Sequence, residues 1–438
     1  MHAPFSYAFC VRVNIENHLC RSKGAVHFSV RGFRRALFYY TFLFKGEEIM
    51  KKAISAFLVI SVILAILALT TSCGVGEITV GDVIYFQALN CVTVEGLANK
   101  SAENISIESS IGGKPVVAIS YDAFNSCDKL KSVTIPDSIT EIRDTAFIGC
   151  KSLERINISK NVLSIGDRVF FGCESLESIN VSEENPNYCS IDGILYDKPI
   201  TTILSIPGNI SGNVTIPQDI KNINTENYSM TDKDFAKRKN LESITIPDSV
   251  TSIGSSTFSE CENLESVTIG KGLTSIGDKA FLHCSKLNKI NIPDSVTNVG
   301  MWAFCGCSNL ENVTLGNRVT SIGETMFSDC SKLKKISIPD SVTSIGEYAF
   351  AGCSNLEDVT IGNGVVSIGK SAFSSCFNLN KINIPGNVTS IEKSAFNGCK
   401  NLENIYFDGT KANWESMNVE ISKSCTVHCS DGNIGVNQ

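Results

Sequence analysis

Apolar positions along this chain recur with one period over most of its length. Phe stands at 124, 147 and 170, and again at 235, 258, 281, 304, 327, 350, 373 and 396, every step within each run being 23 residues. Leu follows six residues later throughout, from Leu130 to Leu402. Cys follows Phe by three at 127, 150, 173, 261, 284, 307, 330, 353, 376 and 399, and only Arg238 breaks that column. Ile or Val fills 119, 142, 165, 253, 276, 299, 322, 345, 368 and 391. A period of this length marks stacked supersecondary units, none of which buries its apolar face alone.

Within one unit, Val267-Thr268-Ile269 alternates as a half-buried strand does. Gly270, or Pro293 in the next unit, ends the strand. A second apolar pair, Leu273 and Ile276, precedes a turn at Gly277, and Asp278–Cys284 is predicted to make one helical turn. From Leu241 onward the units alternate in two types, so the true period is 46. One type reads Leu264-Glu265, Leu310-Glu311 and Leu356-Glu357, and its strand ends in Gly. The other reads Lys289-Ile290, Lys335-Ile336 and Lys381-Ile382, and its strand ends in Pro293, Pro339 or Pro385. With parallel strands in register at a spacing of ~4.8 Å, identical residues would stack. The alternation is expected to set Lys335 between Asn312 and Asp358 and to avoid a row of like charge.

The Leu-x-x-Leu-x-Leu spacing is the core of the leucine-rich repeat. The run Ile246-Pro247-Asp248-Ser249-Val250-Thr251-Ser252-Ile253-Gly254, followed by Phe258, Cys261 and Leu264, resembles the BspA-like class of bacterial surface proteins. The same pattern recurs over 338–356, and the resemblance covers about residues 105–410. It implies a leucine-rich repeat solenoid, α/β to mostly β and right-handed, with 23-residue coils and a parallel sheet on one face. It also implies adhesion to host matrix, host cells or other bacteria. The chain departs from the general consensus three positions after the strand. Ser249, Gly272 or Ser295 stands there in place of Asn or Cys, so a ladder of capping Asn residues is not expected.

The pattern divides the chain. Residues 105–181 and 241–405 are the regular repeats, and 73–104 reads as a linker leading into the start of a cap. Between them, 182–240 is an irregular long repeat. There the Gly193 turn between apolar runs over 188–197 predicts a β-hairpin. Val214, Ile216, Pro217, Ile220 and Ile223 then form a degenerate coil, and Asn224–Lys233 is a polar loop. Residues 406–438 abandon the period and are expected to cap the last coil. At the other end, Lys51 and Lys52, the apolar run Ala53–Leu69 and the small residues Thr70, Thr71 and Ser72 make 50–72 a signal peptide. Cys73 directly after it resembles a bacterial lipoprotein processing site, at which Cys73 carries the lipid, although Thr70 stands where Leu is usual. A plain signal or anchor is the alternative. Residues 1–49 read as upstream sequence translated from a start placed too early, with Met50 as the initiator.

Charge and chemistry narrow the function. Residues 1–72 hold nine Lys/Arg and three Asp/Glu, so of the net −7 the remainder carries −13. An acidic body of this kind argues against a nucleic-acid partner, which demands a cationic surface. The cysteine column fits buried thiols filling the core. A spine of disulfides is the alternative, since the coil spacing falls within the Cα range of about 4.4–6.8 Å. A straight column cannot surround a zinc ion tetrahedrally. The C-terminal set Cys425, His428 and Cys429 is a minor metal candidate, and the basis of an alternative reading as a surface hydrolase. His283 falls at a variable surface position, equivalent to Glu260, Gly306 and Asp329. No phosphate-binding loop or nucleophile elbow occurs, and the expectation is a non-enzyme without a cofactor or structural metal.

The outward strand positions are the candidate ligand-binding residues: Thr245, Thr268, Asn291, Thr314, Ser337, Thr360 and Asn383, joined by Lys289, Lys335 and Lys381. The expected function is that of an exported, membrane-anchored cell-surface binding or adhesion protein with an extracellular protein or glycan partner. A secreted form is the alternative localisation. A structural envelope lipoprotein without a ligand is the alternative function.

Overall fold

The computed structural model describes residues 75–223, 235–422 and 424–435. The stretch 1–49, the signal segment 50–72, Cys73 and the loop Asn224–Lys233 lie outside the described residues. The described chain falls into two units, bounded as 1–147 with 161–169 and as 148–160 with 170–438.

The first unit opens on an antiparallel meander, Gly76–Val80, Val83–Gln87 and Val92–Leu97. Its third strand runs parallel to Lys114–Ile119, which continues through Glu141–Ile142 to Ser164–Ile165. Phe124 and Phe147 stack 5.0 Å apart in its core.

The second unit carries most of the repeats. Each coil contributes to two parallel ladders rather than the single sheet expected. The longer strands, such as Leu241–Ile246 and Ser266–Ile269, form one. Two-residue strands, such as Ser252–Ile253 and Ser275–Ile276, form the other. In both, identical positions of successive coils are register partners. Phe235 to Phe396 then stack as one column, ring centroids 5.1–5.8 Å apart, so each ring closes the space above the last. The Leu column and the Ile/Val column from Ile253 to Ile391 are buried beside it.

The stretch expected to be a helical turn is not helical. Residues two before and two after each Phe lie in the left-handed region, for example Ser256 (φ 57°) and Glu260 (φ 59°), or Lys279 and His283 (both 57°). A left-handed residue on either side of Phe breaks any helix. It also turns alternate amides toward the next coil: Ser256, Phe258 and Glu260 donate to the carbonyls of Asp278, Ala280 and Leu282 at 2.7–2.8 Å. This is a third ladder whose amides donate forward, whereas the parallel sheets donate both ways, as Gly277 does back to Ile253 and Ile292 does forward to Thr314. Among the described residues the one α-helix is Lys411–Met417, capped by Thr410.

The cysteine column does more than fill space. Its members are thiols, not disulfides. From Cys261 to Cys399 each Sγ donates to the carbonyl of the Phe one coil back, at 2.9–3.3 Å (Cys261 to Phe235, Cys284 to Phe258 and onward). The expected absence of an Asn ladder is offset by hydroxyls. Thr274, Thr297, Thr320 and Thr343 each donate to the Thr carbonyl of the preceding coil. Ser285, Ser308, Ser331 and Ser354 do the same along another edge.

The 46-residue alternation has a steric cause besides charge. A Cβ on Gly270 would stand 2.4 Å from the Pro247 carbonyl carbon, and one on Gly272 would stand 1.9 Å from the Asp248 oxygen. Gly316 meets Pro293, while Gly362 and Gly364 meet Pro339 and Asp340, in the same way. The Asp that follows Pro247, Pro293 and Pro339 also caps an amide of the next coil: Asp248 that of Lys271, Asp294 that of Asn317 and Asp340 that of Asn363. From Pro247 to Gly364 the proline-type and glycine-type coils thus fit as complementary faces, whereas Pro217 and Pro247 lie on directly successive coils.

Both sheets are interrupted at one boundary, between Asn312–Thr314 and Lys335–Ile338 and between Asn298–Val299 and Ser321–Ile322. The turn ladder crosses it intact, Phe304 donating to Met326 at 2.9 Å. Buried Met326 stands here in a column whose other members are Thr257, Ala280, Ala303, Ala349, Ala372 and Ala395. The coils are wider apart at this boundary: a Cβ on Gly323 would have 3.6 Å of clearance, against 2.6 Å on Gly277 and 2.7 Å on Gly346.

The long repeat contains the expected hairpin, Tyr188–Ile191 with Ile194–Asp197. Asp192 (φ 50°) and Gly193 (φ 78°) supply the two left-handed residues of a tight two-residue turn. Gly193 accepts a hydrogen bond from Ile179, and the strand ladder resumes at Gly212–Thr215. Val214, Ile216, Ile220 and Ile223 are buried as a degenerate coil requires. At the C-terminal end the helix buries Trp414 against Phe407. Strand Thr426–Cys429 continues the sheet in parallel, and Gly432–Ile434 folds back antiparallel over its edge, which blunts an otherwise open template for pairing.

Two outcomes follow from this packing. Gly272→Ala should destabilise the protein by about 1–3 kcal/mol through overpacking against rigid backbone, whereas Gly323→Ala should be nearly neutral; urea titrations of the two variants make the comparison. Burial pushes the thiols of Cys284, Cys307, Cys330 and Cys353 well up from their ordinary value, and Cys305 and Cys425 to about 11. An unfolded thiol ionises near ~8.5, so above that pH the unfolded chain binds fewer protons than the folded one and stability falls as pH rises. The urea midpoint should decline from pH 8 to pH 10 more steeply in the native chain than in a variant with Cys284, Cys307, Cys330 and Cys353 changed to Ala.

Candidate binding face

Strand alternation decides what reaches solvent. In Leu241–Ile246, Ile244 and Ile246 are buried while Glu242 and Thr245 are exposed, and each later strand repeats the division. All ten candidates, Thr245, Thr268, Lys289, Asn291, Thr314, Lys335, Ser337, Thr360, Lys381 and Asn383, are exposed on the sheet of the second unit. Their alignment follows the register. Thr245 pairs with Thr268, Asn291 with Thr314, and Ser337 with Thr360 and then Asn383.

The neighbouring row is charged. Lys289 lies between Ser266 and Asn312, and Lys381 beside Asn404. Lys335 pairs with Asp358, its Nζ 3.9 Å from the carboxylate. The expected flank of Asn312 on its other side coincides with the interrupted boundary and is not a ladder partner, because the sheet opens there. A third exposed row, Glu242, Glu265, Asn288, Glu311, Lys334, Glu357, Asn380 and Glu403, adds carboxylates along the lysines. The face is therefore a grid of hydroxyls, amides and mixed charge, with side chains anchored at one residue per coil.

Sequence reasoning missed the end of this grid. Asn383 pairs with Tyr406, and Tyr406 with His428. The Tyr406 ring is 41% exposed and stacks on the imidazole at 4.7 Å. Asn404 and Asn433 hold the two ring nitrogens of His428 through their Oδ1 atoms, at 2.9 and 3.2 Å. Tyr406 was findable, being one period after Asn383. His428 was not, because the helix changes the step to 22 residues.

The same alternation separates the C-terminal cysteines from the histidine. Cys425 is buried with Val427 in the core and Cys429 packs against it, while His428 lies on the opposite, outward side of the strand. A thiol–imidazole couple of the kind the hydrolase alternative needs is not assembled here. Among the described residues no group of three His, Cys, Asp or Glu is placed to hold a metal ion. His283 is exposed at its left-handed position, and its imidazole lies against Gly306, where a Cβ would meet Nδ1.

Similarity to known proteins agrees with this geometry. The chain resembles a leucine-rich repeat protein of Bacteroides ovatus at 25% identity, over 80% of this chain and 99% of that one, with a TM-score of 0.61. A leucine-rich cell surface protein of Faecalibacterium prausnitzii is 24% identical over 79% and 98% of the respective chains, with a TM-score of 0.41. No curated protein matches the chain. The family model of the BspA-type leucine-rich repeat region, in six copies, matches residues 95–229, 228–342 and 320–430. With its repeat accounting for most of the chain, and the buried columns explaining why that repeat is kept, this protein belongs to the BspA-type leucine-rich repeat family.

Proposed function

We propose that the protein is exported, held at the cell surface through a lipid on Cys73, and binds an extracellular protein through the exposed strand face of its second unit. The observation that carries this reading is the mixed-charge grid itself. Its rows of Thr, Ser, Asn, Lys and Glu are aligned on a backbone hydrogen-bonded to both neighbours in nearly every coil. A rigid array loses little conformational entropy on binding. Interspersed charge favours a partner of complementary pattern and steers its approach, and a large continuous face suits an extended macromolecule better than a small substrate. Tyr406 on His428 supplies an aromatic anchor at one end, the residue type in which binding energy concentrates.

Intact cells expressing the protein should be labelled by an antibody to the repeats, and the purified chain should bind extracellular matrix or cell-surface proteins saturably. Changing Lys289, Lys335 and Lys381 together to Glu should weaken that binding by about tenfold or more, and raised salt should weaken the native interaction. Labelling without saturable binding would overturn the binding role in favour of a structural envelope protein. Labelling only after permeabilisation would overturn the surface location. Binding to glycans alone would overturn the choice of a protein partner for this face.

A further inference from the structure

A different edge of the second unit carries a pair of aromatic side chains that the strand face does not use. Trp302 and Tyr348 occupy the same position of two coils, two residues before Phe304 and Phe350, and they are 37% and 38% exposed. Both lie in the left-handed region, at φ 63° and 55°, where bulky side chains are uncommon. The equivalent residues of nearby coils are Lys279, Thr325 and Ser371, so the backbone does not demand an aromatic there. Each ring leaves more than a third of its surface to solvent, and large residues held in a left-handed conformation point to function.

Their placement is regular. Thr325, only 5% exposed, stands between them, and the two coil steps separating them measure 5.5 Å each in the adjoining Phe column. Glu324 is exposed beside Thr325. Lys370 bonds Glu347 at 2.7 Å and sits 5.5 Å over the Tyr348 ring. The result is two aromatic side chains at one position of coils two steps apart, with carboxylates alongside and the Lys370 ammonium over one side of the Tyr348 ring. Protein hot spots cluster in one desolvated pocket, whereas these rings are held apart by a threonine.

We propose that this edge binds a neutral, extended glycan chain, with Trp302 and Tyr348 stacking on the C–H faces of alternate sugar rings. An extended β-1,4-linked chain presents equivalent ring faces at every second residue, a repeat that matches two coils. Its hydroxyls meet Glu324, Glu347 and Lys370. The chain beyond residue 72 carries −13 of net charge, which disfavours polyanionic sugars. This site stands apart from the lysines of the strand face and does not rest on the function proposed for them.

The test is calorimetric titration of the full chain with cellohexaose, cellobiose and maltohexaose, together with tryptophan emission. Trp414, the second of the two tryptophans, is buried, so the emission change reports Trp302. Cellohexaose should bind, cellobiose and the coiled maltohexaose should bind about tenfold more weakly or not at all, and Trp302→Ala and Tyr348→Ala should each cost about tenfold in affinity. The Lys289, Lys335 and Lys381 to Glu variant should bind cellohexaose as the native chain does, and circular dichroism should show all variants folded. Absence of heat and of any emission change with cellohexaose at millimolar concentration overturns the proposal, as does undiminished binding by both folded aromatic variants. Equal binding of maltohexaose overturns the match to an extended chain.

Discussion

Each coil must hydrogen-bond to the one before and the one after it at a single pitch, and the remaining features of the repeats follow from that constraint. Two sheets donate to the coils on both sides and the turn ladder donates forward, which leaves few buried backbone groups without partners. A fixed pitch means that a residue at one position meets the same position of its neighbours. Phenylalanine rings therefore stack, thiols find the carbonyl one coil back, and hydroxyls line up as ladders. Where the pitch is too tight for two side chains, one coil yields a glycine to the proline-aspartate backbone beneath it. Where Met326 stands in the column, both sheet ladders are interrupted, and the turn ladder with the Thr, Cys and Ser bonds carries the contact across.

The same constraint makes the outer surface. Side chains that alternate with the buried columns are delivered to solvent in rows, at a spacing the core fixes. Changing one of them leaves the core columns in place, so the exposed rows are free to vary while the fold stays the same. That freedom is visible in the difference between the strand face, with its mixed charge and hydroxyls, and the opposite edge, where Trp302 and Tyr348 replace small or polar residues. A repeat protein can thus carry distinct surfaces on one scaffold, and function must be argued from each surface, not from the fold.

Much of this was legible in the sequence because a residue such as Phe281 or Leu287 has one environment repeated many times. The core columns, the hairpin at Gly193 and the exposure of all ten candidate residues were readable in that way. The second sheet was not, since a two-residue strand such as Ser275–Ile276 is too short to show an alternation. The left-handed turns were hidden because Lys279, Trp302 and Tyr348 give no sign of positive φ, which the inter-coil hydrogen bonds impose. The glycines of the alternate coils were visible as strand terminators, but their close approach to Pro247 or Pro339 is a property of two coils together. Tyr406 was within reach by counting one period beyond Asn383. His428 was displaced from the count by the helix Lys411–Met417.

The central claim is that complementary pairs of coils, not single coils, are the unit of this fold from Pro247 onward. Deleting 46 residues, 310–355, joins the coil of Pro293 to that of Gly362 and keeps the pairing. Deleting 23 residues, 310–332, joins it to the coil of Pro339 and sets proline on proline. Thermal unfolding of the two deletion variants, followed by circular dichroism, tests the claim most directly. The account predicts that the larger deletion unfolds cooperatively near the native transition, while the smaller one unfolds earlier or over a broader range. A smaller deletion as stable as the larger one, or more so, would contradict it.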